Sequence, residues 1–153
     1  MPPDRARWIV WAAMMGAVAL YAGLATVLPP FSVPDLPGEA LLAIAAAGIS
    51  AGLAALVIHR IALVRPILAG RLDPASAEGS AQALRLWIVC WALAESVAIL
   101  GLVAALLFGR RDLAWPAVAL AMLLLVVTSP RLPARTLTAA ELSRPDVRIG
   151  EGS

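Results

Sequence analysis

Four long apolar runs divide the chain, each closed by proline, glycine, histidine or arginine. The first is Trp8–Leu28, stopped by Pro29 and Pro30. The second, Ala40–Ile58, opens after Pro37-Gly38-Glu39 and closes at His59 and Arg60. The third, Leu86–Phe108, lies between Arg85 and Gly109-Arg110-Arg111, and the fourth, Leu113–Thr128, ends at Ser129-Pro130. A helix rises about 1.5 Å per residue and needs about 20 residues, within a range of about 17–25, to cross hydrocarbon. The first three runs meet that length. The fourth is short and is expected to use Asp112 as its N-cap and Ser129 at its far end. The runs are continuous rather than alternating, and a segment in lipid must satisfy its own backbone, so they predict helices and not a barrel.

The expected fold is therefore all-α: an integral membrane four-helix bundle over residues 1–130, with spans near 8–28, 40–58, 86–108 and 113–128. A cytoplasmic tail containing Arg and Pro fills 131–153. Between the second and third runs, Ile61, Leu63, Val64, Ile67 and Leu68 alternate with Arg60 and Arg65. That pattern extends the second helix into the interface, with Pro66 bending it. Asp73-Pro74 then turns the chain, and Ser76–Ala83 leads into the third span. In the tail, Thr138 and Glu141 have the spacing of a capping box and predict a short helix.

Composition makes lipid the solvent. Of the 153 residues 61% are hydrophobic and 14% charged, where a soluble domain has about a quarter charged. All 12 basic residues are Arg, which together with abundant Ala reads as compositional bias. Their placement carries the orientation. Arg5 and Arg7 precede the first span, Arg60, Arg65, Arg71 and Arg85 lie between the second and third, and Arg131, Arg135, Arg144 and Arg148 follow the fourth. Only Arg110 and Arg111 fall on the other side, so the positive-inside rule puts both termini in the cytoplasm. The expected location is the inner membrane, as a multi-pass protein. The first apolar run exceeds a signal-peptide core and no A-x-A site follows it, so it is expected to stay uncleaved. The net charge of +2 follows from this topological pattern and calls for no nucleic-acid partner.

Trp8, Trp11, Trp87 and Trp115 lie near span ends and read as interfacial anchors; Trp91 lies one turn deeper. Lipid offers no hydrophobic drive between helices, so small residues should form the contacts. Gly48 and Gly52 form a G-x-x-x-G on the second span beside the ladder Ala43, Ala47, Ala51 and Ala55. Ala94, Ala98, Gly101 and Ala105 form one seam on the third, and the first offers Ala12, Gly16, Ala19 and Gly23.

Glu95 is the one charged residue deep within a run. A carboxylate at that depth costs several kcal/mol, so it should face the bundle, sit protonated or have a partner. Ser50 lies at similar depth on the neighbouring span, Ser96 is adjacent, and Tyr21 lies in the outer half of the first. One reading makes Glu95, with Ser50 and Ser96, a candidate ion or proton site. The other makes it a packing residue bonded to Ser50, Tyr21 or a backbone carbonyl. Cys90 and His59, each the single residue of its type, make neither an intramolecular disulfide nor a metal site, and no cofactor motif is present.

The stretch Trp91–Leu107, WALAESVAILGLVAALL, resembles the ion-carrying helix of the proteolipid subunit of rotary ATP synthases, with AAAGISAG at Ala45–Gly52 similar to that family's glycine-rich first helix. The resemblance implies an ion-binding role for Glu95; the first and fourth spans lie outside it. Over more of its length the chain resembles small four-span bacterial membrane proteins of unknown function, through the third span after Arg85 and the Ser129-Pro130-Arg131 ending of the fourth. No Ser/His/Asp set or phosphate loop appears. The expectation is a structural or accessory membrane component with no catalytic activity, whose partners are membrane lipid, itself or other membrane proteins. The alternative is an ion-translocating, proteolipid-like subunit using Glu95.

Overall fold

The computed structural model describes residues 3–29, 33 and 36–131, so the expected tail helix at Thr138–Glu141 lies outside the described residues. Among the described residues the regular structure is entirely helical. Helix α1 is Pro3–Val27 and α2 is Gly38–Leu68, with a π-helical stretch over His59–Val64. Helix α3 is Ala77–Leu107 and α4 is Ala114–Val127. The first three are long and apolar enough to cross a membrane.

The local signals for these boundaries are specific. Proline at 66 has no N–H and its ring crowds the carbonyl of the preceding turn. The helix answers by widening just before it: the Arg65 N–H reaches back to the Arg60 carbonyl, and the rod continues to Leu68 instead of breaking. After α2, Gly70 takes a positive φ of 68° while the Arg71 N–H bonds the Pro66 carbonyl, which closes the helix end. Gly109 repeats this at the end of α3, with a φ of 65° and the Arg110 N–H on the Ala105 carbonyl. At the start of α3, Ser76 Oγ accepts from the Gly79 N–H at 3.1 Å. A β-carbon at Gly79 would collide with the Asp73 carbonyl, so the turn before α3 requires glycine there.

One expected cap is not made. Asp112 lies in a 3-10 turn, Arg111–Leu113, and its carboxylate is taken by the Arg110 guanidinium at 2.6 Å, so α4 starts without a side-chain cap. The neighbouring positive charge holds the Asp112 carboxyl below the usual carboxylate range. Both side chains are solvent-exposed, and such pairs contribute little to stability.

Helix α3 is the centre. Its buried positions Ala83, Trp87, Cys90, Ala94, Val97, Gly101 and Ala104 recur at alternating spacings of four and three, the period of a coiled-coil seam. Ala98 and Ala105 are buried beside that stripe. Helices α3 and α4 run antiparallel, with Ala117 against Gly101 and Thr128 against Trp91. Gly48 and Gly52 of α2 approach Leu100 and Val97 of α3, and a β-carbon at Gly52 would lie 3.3 Å from Leu124 Cδ1 of α4. Helix α1 runs parallel to α3, placing Arg7 beside Trp87 and Tyr21 beside Glu95. Helices α1 and α2 flank the central pair and barely touch one another.

The small residues of α1 differ from expectation: Ala12, Gly16, Ala19 and Gly23 are exposed. A β-carbon at Gly16 or Gly23 would meet nothing within 4 Å. The inward stripe of α1 is instead Arg7, Trp11, Met14, Val18, Tyr21 and Ala25, again at four–three spacing. Large side chains on α1 fill the hollows over small ones on α3, so α1 needs no small residues at the contact. On α2 the contact is Gly48, Gly52 and Ala55, while Ala43 and Ala47 face outward.

A β-carbon at Gly101 would collide with that of Ala117. Gly101→Ala is therefore expected to lower stability in detergent by about 1–3 kcal/mol, and Ala117→Gly should recover part of the loss. Gly16→Ala should stay within about 0.5 kcal/mol of the parent. Thermal unfolding of the three variants checks this.

Candidate functional site

Glu95 lies just past the midpoint of α3, on the flank facing α1, and is half-buried. Tyr21, on the inward stripe of α1, donates its hydroxyl to Glu95 Oε1 at 2.7 Å. Ser50 is exposed on α2 and makes no hydrogen bond to Glu95. Ser96 donates to the carbonyl of Leu93, one turn back in its own helix, at 2.7 Å. Of the three residues singled out as a candidate ion site, Glu95 alone makes a polar contact between helices. Tyr21, one of the three partners open to it in the sequence, is the partner it takes.

A second polar cluster forms where the arginine-rich segments meet. The last carbonyls of a helix lack partners within it. At the end of α4, the Leu124 carbonyl accepts from both the Thr128 N–H and the Thr128 hydroxyl, each at 2.8 Å. Trp11 Nε1 donates to the Leu125 carbonyl at 2.9 Å, and the Ser129 N–H reaches that of Val126 at 3.2 Å. Trp91 Nε1 donates to the Thr128 carbonyl at 3.0 Å. The depth of Trp91 thus has a cause: it holds the end of a helix that stops short.

Trp87 departs from its expected role as an interfacial anchor. It is 1% exposed, stacks on Trp91 with ring centroids 6.4 Å apart, and carries the Arg7 guanidinium 5.0 Å from its ring centroid. Arg7 itself is buried. Its place in the inward stripe, four residues before Trp11, is the sequence signal that separates it from Arg5. Trp8 and Trp115 are exposed.

Among the described residues no three His, Cys, Asp or Glu side chains come together as a metal site. Cys90 is buried within α3. A groove of about 270 Å³ between α2, α3 and α4 is lined by apolar side chains, among them Leu41, Ile44, Leu100, Leu113 and Leu120. The chain matches no protein-family model, no curated protein and no solved structure. Both resemblances noted in the sequence therefore rest on the residues that carry them.

The Tyr21–Glu95 contact makes a quantitative prediction. Tyr21→Phe and Glu95→Ala should each destabilise the protein, and the double variant should lose less than the sum. The expected coupling is about 0.6–2 kcal/mol, the range for a hydrogen bond between membrane helices. Additive losses in a double-mutant cycle of unfolding free energies would show that the two side chains do not interact.

Proposed function

We propose that the protein is a structural or accessory component of the inner membrane, a four-helix bundle with every helix crossing the bilayer, both ends in the cytoplasm, and no catalytic activity. The observation that carries the functional part is the engagement of Glu95. The one acidic side chain deep in the membrane accepts from Tyr21 on the neighbouring helix, and neither serine near it in sequence or depth joins the pair. An ion path needs several polar stations, whereas a helix clamp needs only two groups.

The fourth crossing is supported by the path of α4, which runs back along α3 from Ala114 to its tie at Trp91. Orientation rests on the ten arginines at one end against two at the other. Arg111 at the sparse end donates to the Leu28 carbonyl at 3.4 Å, at the close of α1. It thereby has a local task besides its charge.

In a Cys90→Ser background, single cysteines introduced at Ala75 and Ser153 should react with an impermeant thiol reagent only from the cytoplasmic face. Those at Glu39 and Asp112 should react only from the opposite face. Labelling of Asp112→Cys and Ser153→Cys from one side would remove the fourth crossing. Proteoliposomes containing the protein should hold a proton or sodium gradient as well as protein-free vesicles do. A leak that Glu95→Gln abolishes would transfer the assignment to an ion carrier.

A further inference from the structure

Helices α2 and α4 run parallel to each other, both packed on α3, and they approach where Gly52 faces Leu124. Toward their first turns they part, and the gap is the apolar groove of about 270 Å³. Its floor is α3 at Gly101 and Ala104. Its walls run from Leu41 to Ile49 on α2 and from Leu113 to Leu120 on α4, which makes it about 12 Å long. Every side chain that lines it is apolar.

Medium, size and position together narrow what such a groove can hold. On the membrane-spanning reading it opens into hydrocarbon, where water does not enter to fill it. Left empty, it would forfeit dispersion contacts along its whole lining. A helical segment of the same length and about 10 Å across occupies on the order of 900 Å³, several times the 270 Å³ present, so a helix from another chain does not fit inside. By volume the groove holds roughly nine groups the size of a water molecule, at about 30 Å³ each, and a methylene is of that size. By length it spans about nine carbons, since an extended chain with C–C bonds of about 1.5 Å advances about 1.3 Å per carbon. Volume and length thus agree on one linear chain. Arg131, the last described residue, lines the recess at the other end of the bundle, so the residues after it begin across the bilayer from this groove on the same reading.

We propose that the groove seats one hydrocarbon chain of a membrane lipid, inserted from the leaflet at the Leu41 and Leu113 end to a depth of about nine carbons. The seated chain joins α2 to α4 where their own side chains leave a gap. The headgroup is not selected, because the lining offers it no polar side chain. The inference rests on the membrane-spanning reading, which is tested separately by resistance of the protein to alkaline extraction from vesicles.

The experiment places the full chain in a steroid-based detergent, which has no linear alkyl chain to compete, and follows it by native mass spectrometry and thermal unfolding. The probes are dihexanoyl-, didecanoyl- and dipalmitoyl-phosphatidylcholine, with dipalmitoyl-phosphatidylglycerol to vary the headgroup alone. One bound lipid and a raised unfolding temperature are expected with the two longer phosphatidylcholines and not with the dihexanoyl lipid, whose chains end short of the Gly52–Leu124 approach. The phosphatidylglycerol should match its phosphatidylcholine counterpart. Ala45→Leu, at an exposed position on the groove wall, fills the groove from within and should weaken binding by about tenfold or more. Ala46→Leu adds the same side chain outside the groove and should leave binding unchanged. Equal binding by these two variants, binding that follows the headgroup instead of chain length, or no stoichiometric lipid with any probe would overturn the proposal. So would a dimer that Ala45→Leu dissociates, because a second copy would then be the occupant. Alkaline extraction of the protein would instead count against the membrane reading itself.

Discussion

Hydrocarbon solvates a leucine as well as another leucine does, so these helices cannot be held together by escape from water. What remains is dispersion at close range, and its reach sets the architecture. Gly101 lies so near Ala117 that there is no room for a β-carbon between them. That approach brings α4 against α3, and the glycines of α2 then settle onto Val97, Leu100 and Leu124. Every other element is placed relative to this narrow central pair. The large inward side chains of α1 occupy the hollows that remain.

Polar contacts add specificity to that packing. In the interior each unsatisfied backbone group is expensive, and a helix that ends short of its neighbours exposes several. The tryptophans of α1 and α3 meet this need with indole donors carried on large apolar rings. The Tyr21–Glu95 bond performs a related task farther along α1 and α3, fixing the rotation and height of one helix against the other.

The legible part of the fold was what depends on one element at a time. Apolar runs gave the helices, and Pro66, Ser76, Gly109 and the G-x-x-x-G of α2 marked turns and contacts from local chemistry alone. The seam of α3 was readable because its small residues interrupt a field of larger ones. The outward face of α1 was not, because small residues at regular spacing arise freely in an alanine-rich chain. Which face of a helix meets a neighbour depends on that neighbour's shape. The same limit hid the roles of Arg7, Trp87 and Trp91, which exist only once α4 is known to end beside them. Glu95 stood out by its depth, but the choice among Ser50, Tyr21 and a backbone carbonyl required the placement of α1.

The brevity of α4 also acts outward, on the surrounding lipid. Leu120, Leu123, Val126 and Val127 give this helix an outward apolar face, and that face is shorter than the flank formed by the 25 residues of α1. On the proposed reading in which α4 crosses the bilayer, acyl chains would have to conform to both heights around one small perimeter, with the bilayer compressed beside α4 and relaxed beside α1. Hydrophobic mismatch of this kind carries an elastic cost that grows with each ångström. On that reading two such molecules would lower it by sharing the thin region, and the protein as a whole would be drawn to thinner patches of membrane. A shortened fourth span would thus give this chain a thickness preference and a directional pull toward others like it.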